Sequence, residues 1–344
     1  MKKKVLHIIV KSSYDGVTSY SIRLIKNLPQ YDHQILSCYK GNAIEELKEM
    51  NISYELLLNS GSISIKYLLL KYYKFISYLR KNKFDIIHYH QGGIGIILLA
   101  VFFGNKAKVL HHLHSGNLIG DNRKQNISLF HLILLKLLSK HTTQIAVAEH
   151  VYDGYKFKIK RTKNLQLVKN SVPYSFRKKE SRKNSIGYIG RFTKEKGFQV
   201  FLSVSAQIKT TQPKLNIIAM GETNKSNNVK LIPPSFNIER FYEHIDLLLF
   251  TSMAPESLPL VVLEAIAFDV GVTAYPLKGV VEILGEDYPL YVKNEDEVIS
   301  KISELYSPEF DFAALSKIHK ERSEKFNFAN MINSIDNLYQ SLMV

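Results

Sequence analysis

The feature that most constrains this chain is a recurring unit: a short apolar, β-branched run without polar alternation, then a polar loop, then a helix-period pattern. Val5–Val10 is the first such run. It suits a strand covered on both faces, and it ends in the loop Lys11–Gly16 before a helical pattern over Val17–Leu28. A strand with no polar face needs a helix on each side, so the series predicts parallel sheets wound on both faces. Further strands are expected at Gln34–Tyr39, Ser53–Leu57, Phe84–His90, Lys108–His114, Gln144–Ala148 and Leu165–Lys169, with helices at Ala43–Met50, Ile65–Lys81, Ile94–Phe103 and Ser128–Ser139.

A second series follows, with strands at Ser185–Ile189, Leu215–Met220, Asp246–Thr251 and Gly271–Ala274 and helices at Gly197–Lys209, Ile238–Tyr242 and Pro259–Phe268. Between the series lie the turn Asn170-Ser171-Val172-Pro173 and the basic stretch Ser175–Lys183. The charge density of that stretch and its lack of apolar periodicity read as a linker. At 344 residues the chain exceeds the usual size of a single core. The expected fold is therefore α/β, with two Rossmann-like, doubly wound domains over 1–170 and 171–325 facing across a cleft. An amphipathic helix within 326–344 would pack back across the lobes. Ligands of such a fold collect at the carboxyl ends of the strands.

Composition narrows the function classes. Cys38 is the only cysteine, which excludes an internal disulfide or a multi-cysteine zinc site and suits a reducing cytoplasm. Residues 1–180 hold 29 Lys and Arg against 11 Asp and Glu, a balance of +18, while residues 181–344 hold 17 against 20, a balance of −3. The basic half points to an anionic partner, such as a membrane surface or a phosphate-bearing acceptor, or simply to a lysine-rich solvated surface. A nucleic-acid partner is not expected, since no base-reading motif accompanies the charge. No apolar run reaches bilayer-spanning length, so membrane contact, if any, is expected to be peripheral.

The most specific stretch is Ala254–Ala265, where Glu256 and Glu264 stand eight positions apart across a loop-to-helix boundary. A carboxylate accepts from the vicinal hydroxyls of a sugar or ribose ring. Ser257, Leu258 and Pro259 lead into the helix, with Pro259 expected in its first turn, and the helix N-terminus offers N–H groups to a diphosphate. Upstream, Arg191 and Lys196 flank the strand-to-helix turn Gly190–Gly197, where a planar fork and a point charge suit two phosphates.

Together with Asn170–Pro173 and Lys278–Ile283, read as a turn, these motifs resemble the signature series of the family 4 retaining glycosyltransferases of the GT-B type. The resemblance implies a nucleotide-sugar donor, UDP favoured, held by the second domain, with the acceptor on the first. Glu256 would meet the transferred sugar, Glu264 the ribose, and Arg191 and Lys196 the diphosphate. The Gly221-Glu222 loop would line base and ribose, and His114, followed by Ser115-Gly116, would orient the sugar as a neutral imidazole. Where the family usually has two glycines after the first strand, this chain has Asp15-Gly16, with Gly16 near the diphosphate. Lys278 stands in place of a further glycine. The family works without a bound metal. His88, His90, His111 and His112 lack the third ligand and carboxylate spacing of a zinc site, so no cofactor is expected.

Retention without an evident nucleophile implies front-side displacement, with Arg191 and Lys196 carrying the leaving group. The acceptor expected is a glycan, linked to a polyprenyl diphosphate, in surface-polysaccharide assembly. The Tyr and Lys interleaved along Lys66–Tyr78 would lie at an anionic membrane, or else the tyrosines face the core and the lysines face water. A sugar-nucleotide epimerase or phosphorylase of the same fold, or a non-catalytic anionic-glycan binder, stays open as an alternative.

Overall fold

A computed structural model describes residues 2–60, 64–90, 93–114, 129–160, 163–221 and 229–343. The chain divides into two compact units, one of residues 1–169 with 329–344 and one of residues 170–328.

The first unit is built on a seven-stranded sheet of order β3-β2-β1-β4-β5-β6-β7, every pairing parallel. Its strands are β1 (Lys4–Lys11), β2 (Asp32–Tyr39), β3 (Tyr54–Leu58), β4 (Ile86–Tyr89), β5 (Lys108–Leu113), β6 (Thr142–Ala146) and β7 (Leu165–Leu167). Val5, Leu6, Ile8 and Ile9 are all buried, as a strand without a wet face must be. The helices are α1 (Gly16–Asn27), α2 (Ile44–Glu49), α3 (Ile65–Lys81), α4 (Ile94–Phe103), α5 (Leu129–His141) and α6 (Glu149–Ile159). Strand order reverses between β1 and β4, so the loops that follow these two strands part at this point.

The second unit carries a parallel five-stranded sheet, β10-β9-β8-β11-β12, with β8 (Ser185–Ile189), β9 (Asn216–Met220), β10 (Lys230–Ile232), β11 (Leu247–Phe250) and β12 (Gly271–Ala274). Its helices are α7 (Phe198–Thr211), α8 (Glu239–Glu243), α9 (Leu260–Ala267), α10 (Lys278–Leu284), α11 (Glu295–Leu305) and α12 (Phe312–Glu324). The order reverses between β8 and β11. The last helix, α13 (Phe328–Met343), returns to the first unit, where Asp336 accepts from Tyr31 at 2.5 Å and from Gln30 at 3.0 Å.

Several elements differ from the sequence expectation. Lys278–Ile283 is not a turn: it lies within α10, whose first turn buries Gly279 and Val280. Helix α6 was not foreseen, although Val151, Tyr155 and Ile159 form a buried stripe at helical spacing, because Gly154 and the charged residues between them mask it. Ser175–Lys183 is not a free linker either. Lys179 Nζ donates to the carbonyls of Tyr242, Glu243 and Ile245 at 3.0, 3.3 and 2.7 Å, Arg177 N–H donates to Ala267 O at 2.8 Å, and the Arg182 guanidinium lies 4.2 Å from the Phe312 ring centroid. Its charges dock on helix ends of the second unit instead of building a core of their own. Burial lowers the Lys179 ammonium to about 8.

Candidate donor site

The second unit gathers its polar loops at the carboxyl ends of β8 and β11, the strands that flank its order reversal. This is where a doubly wound sheet opens a crevice, because neighbouring connections leave in opposite directions.

The β8-to-α7 loop is shaped by its glycines. Gly197 adopts φ +69°, and a Cβ there would lie 1.8 Å from the Thr251 carbonyl oxygen, so no side chain fits between this loop and the end of β11. Thr251 Oγ1 donates to Gly197 O at 2.9 Å, and Tyr188 OH donates to Arg191 O at 2.9 Å, so both ends of the loop are tied to the sheet. Phe192 stacks on Phe198 with ring centroids 3.9 Å apart, folding the loop over the start of α7.

That fixed loop delivers Lys196 to Glu256. Lys196 Nζ lies 2.6 Å from Glu256 Oε1, and Ser252 Oγ donates to the same oxygen at 2.7 Å. The Lys196 side chain keeps 31% of its surface exposed and that of Glu256 keeps 12%, so the pair is partly desolvated yet reachable. A cation and an acceptor held together in this way can meet, respectively, a phosphate oxygen and a sugar hydroxyl. Arg191 is exposed on the same loop.

Glu264 occupies a different environment. It is 4% exposed, on α9, and Tyr242 OH donates to its Oε2 at 3.1 Å. Glu256 and Glu264 are thus held by separate partners, one at the loop and one within the helix. Between them, Ser257, Leu258 and Pro259 are buried. Pro259 is the N-cap of α9 and not part of its first turn; its side chain makes no capping hydrogen bond, and its carbonyl accepts from Val262 N–H at 3.1 Å. Asn170 Nδ2 donates to Leu258 O at 3.2 Å, and Gly279 at the start of α10 packs so closely that a Cβ would meet Ser257 O at 2.2 Å. The motif Asn170–Pro173 and the glycine of α10 therefore brace the Glu256 loop from two sides. Gly221 follows β9 beside Gly190 and Phe192, where a Cβ would meet Gly190 O at 2.6 Å. Glu222 lies outside the described residues.

In the first unit, Gly16 opens α1 and Asp15 is its N-cap. The Asp15 carboxylate accepts from Thr18 N–H at 2.9 Å, and its φ of −140° is open to any residue. An aspartate in place of a glycine is thereby accounted for, because the position needs no left-handed backbone and the charge serves the helix end. His114 follows β5 and is half-buried, its Nε2 2.8 Å from His90 Nδ1. Burial, aided by His111, pulls its pKa down to about 3, so its imidazole is neutral at ordinary pH. Ser115 and Gly116 lie outside the described residues.

Sequence reasoning missed Ser252, Tyr242 and Asn170 as the holders of Glu256, Glu264 and Leu258. The only sequence signal for Ser252 was the polar pair Thr251-Ser252 closing a buried apolar strand.

Residues 174–322 match the family of glycosyl transferases group 1. An uncharacterised 41.2 kDa protein of the cps region of Klebsiella pneumoniae is 26% identical over 312 residues, 82% of this chain and 85% of that one. Among solved structures, Alr3699/HepE of Anabaena in complex with UDP and glucose is 16% identical at a TM-score of 0.77, covering 98% of this chain and 100% of its own. The pneumococcal O-GlcNAc transferase GtfA in complex with UDP and GlcNAc is 11% identical at a TM-score of 0.76, covering 99% of each. The chain has the GT-B fold, with two Rossmann-like domains.

Proposed function

We propose that the chain, whose residues 174–322 match the glycosyl transferases group 1 family, is a retaining hexosyltransferase that uses a UDP-sugar as donor and a hydroxyl of a lipid-linked glycan as acceptor. The observation that carries this reading is Lys196 and Ser252 converging on Glu256 at the strand reversal of that unit. UDP in the complexes of Alr3699/HepE and GtfA supports the choice of nucleotide, and the cps-region relative supports a role in surface polysaccharide assembly.

In this mechanism Arg191 and Lys196 neutralise the diphosphate as the bond from the anomeric carbon to the phosphate oxygen breaks. The acceptor oxygen then bonds to that carbon on the same face, and its proton passes to the departing phosphate oxygen. Glu256 accepts from the sugar hydroxyls, Glu264 from the ribose, Gly221 and the N-terminus of α9 approach the nucleotide, Gly16 approaches the diphosphate, and neutral His114 orients the sugar. Two side-chain cations supply the charge, so the reaction proceeds without a bound metal.

The acceptor's lipid places the enzyme at the cytoplasmic face of a membrane. No described helix is long and apolar enough to cross one. Helix α3 supports peripheral contact: Ile65, Leu69 and Tyr73, on one stripe, are 76%, 62% and 71% exposed, with Lys66 and Lys74 exposed beside them. Lys71 is the exception to a solvated lysine face, being buried with its ammonium 5.1 Å from the Tyr72 ring centroid.

Thermal melts with UDP, GDP, ADP and their sugar conjugates test the donor reading. UDP or a UDP-sugar is expected to raise Tm, by RT ln(1 + [L]/Kd) in stability, and Lys196→Ala and Glu264→Ala to abolish the rise. No shift with any nucleotide overturns the proposal.

A further inference from the structure

Six histidines line one face of the first unit's sheet: His7 on β1, His33 on β2, His88 on β4 with His90 just past it, and His112 on β5 with His114 just past it. Strand alternation puts His88 with His90, and His112 with His114, on a common face, while parallel pairing sets the rows side by side. His7, His33, His88, His90 and His112 are buried, and only His114 among the six is half-buried. Tyr20 of α1 and Tyr339 of α13 cover them edge-on.

Four of these rings form one continuous line. His33 Nε2 is 2.8 Å from the Leu28 carbonyl oxygen and His33 Nδ1 is 2.9 Å from His7 Nε2. His7 Nδ1 is 3.1 Å from His90 Nε2, and His90 Nδ1 is 2.8 Å from His114 Nε2. Burial holds all four imidazoles below their ordinary pKa, so each is neutral and carries one N–H and one lone pair. A carbonyl oxygen only accepts. His33 must therefore carry its proton on Nε2, which leaves Nδ1 to accept from His7 Nε2–H. By the same step His7 Nδ1 accepts from His90 Nε2–H, and His90 Nδ1 accepts from His114 Nε2–H.

We infer that the line Leu28–His33–His7–His90 fixes the tautomer of His114, so that its Nδ1 presents a lone pair and selects a hydroxyl donor on the transferred sugar. His33, His7 and His90 are positioning residues. The line does not conduct protons, because a proton entering at His114 would have to leave through a carbonyl oxygen. The inference rests on the sugar-orienting role proposed for His114, while the tautomers themselves can be read without any substrate.

The test uses the full chain labelled with 15N-histidine. At pH 7.5, two-bond proton–nitrogen spectra are expected to show Nε2–H and bare Nδ1 for His7, His33, His90 and His114. An Nδ1–H tautomer or a doubly protonated ring at any of the four overturns the inference. So does ligation of zinc chloride by His90, His112 and His114, whose nitrogens lie within 4.8 Å of one another, because a metal would take the nitrogens the line uses. His33→Phe removes the acceptor for His7 and is expected to mix the tautomers at His114 and lower kcat about five- to tenfold with the donor KM little changed. His33→Gln, whose amide both accepts and donates, is expected to restore both readouts. An unchanged kcat in a folded His33→Phe overturns the positioning role. If that variant does not fold, the wild-type tautomers decide. Wild-type protein with the expected tautomers but no transferase activity would refute the proposed function and leave the tautomer assignment standing.

Discussion

The two units share one architecture and fill it with opposite chemistry. In the first, the titratable side chains buried on the sheet include a row of neutral imidazoles bonded to one another. In the second, the fully buried acids are carboxylates surrounded by donors. Asp246 is fully buried and accepts from the backbone N–H groups of Lys183 at 3.0 and 2.8 Å and of Ser185 at 3.2 Å. Asp269 is also fully buried; it meets His319 Nδ1 at 3.0 Å, Ser316 Oγ at 3.1 Å and Lys179 N–H at 3.1 Å. A buried charge persists only where hydrogen bonds replace its water, whereas a buried imidazole persists by giving up its charge. The lesson is that the parallel sheet dictates where polar groups are sheltered and not what sign they carry, so the two units should answer differently to pH and to ligands.

The largest expected effect is that acid separates them. Six buried histidines of the first unit, His7, His33, His88, His90, His111 and His112, have pKa values lowered chiefly by burial. The unfolded chain takes up their protons near pH 6.5 while the folded unit does not. Stability is therefore intact above that pH and is lost as pH falls toward the lowered values, by up to about 1.4 kcal/mol per histidine by about pH 5.5. The second unit has one such histidine, His319, held by Asp269. Hydrogen exchange between pH 7 and 5 should show the first unit opening well before the second. Simultaneous opening would break the comparison.

A smaller effect sharpens it from the other side. Gly197→Ala forces a side chain into the Thr251 carbonyl at a positive φ, and should destabilise the second unit by about 2–4 kcal/mol and abolish the nucleotide-induced rise in Tm. Exchange in the first unit's sheet should be unchanged, and slowing or loss of protection there would show that the units are not independent.

The smallest effect concerns the first unit's surface. Leu69→Asp should weaken sedimentation with vesicles containing anionic lipid by about 1 kcal/mol or more, with Tm within about 1 °C of wild type, since Leu69 is already in water. Binding that survives the substitution assigns that affinity to scattered basic charge and not to α3.

Much of this was legible in advance for a definite reason. β8 and β12 fall on the residues expected from the sequence, and α3 matches at both ends, because apolar runs bounded by turn residues mark buried strands and long helical periods mark helices. The short β10 and the helices α11 and α12 were not drawn. In α11, Val298, Ile302 and Leu305 lie at helical spacing behind an Asn294 cap, so the signal was present but diluted by the acids between them. Of the site, Glu256, Glu264, Arg191 and Lys196 were named from spacing and resemblance, whereas their holders Ser252 and Tyr242 were not: Tyr242 stands 22 positions from Glu264 and leaves no local trace, and Ser252, four positions before Glu256, lies in a loop with no periodic pattern to turn it toward that carboxylate.

By itself, then, the sequence determined the alternation that makes parallel sheets, the glycines that let loops close on strands, and the charge imbalance between the halves. These depend on neighbours a few residues apart. Only the tertiary structure decided that Lys196 pairs with Glu256, that Ser175–Lys183 is docked and not free, and that histidines from four separate strands join edge to edge. Those outcomes depend on which strands lie side by side and on which groups lose their water together, and a one-dimensional pattern carries neither.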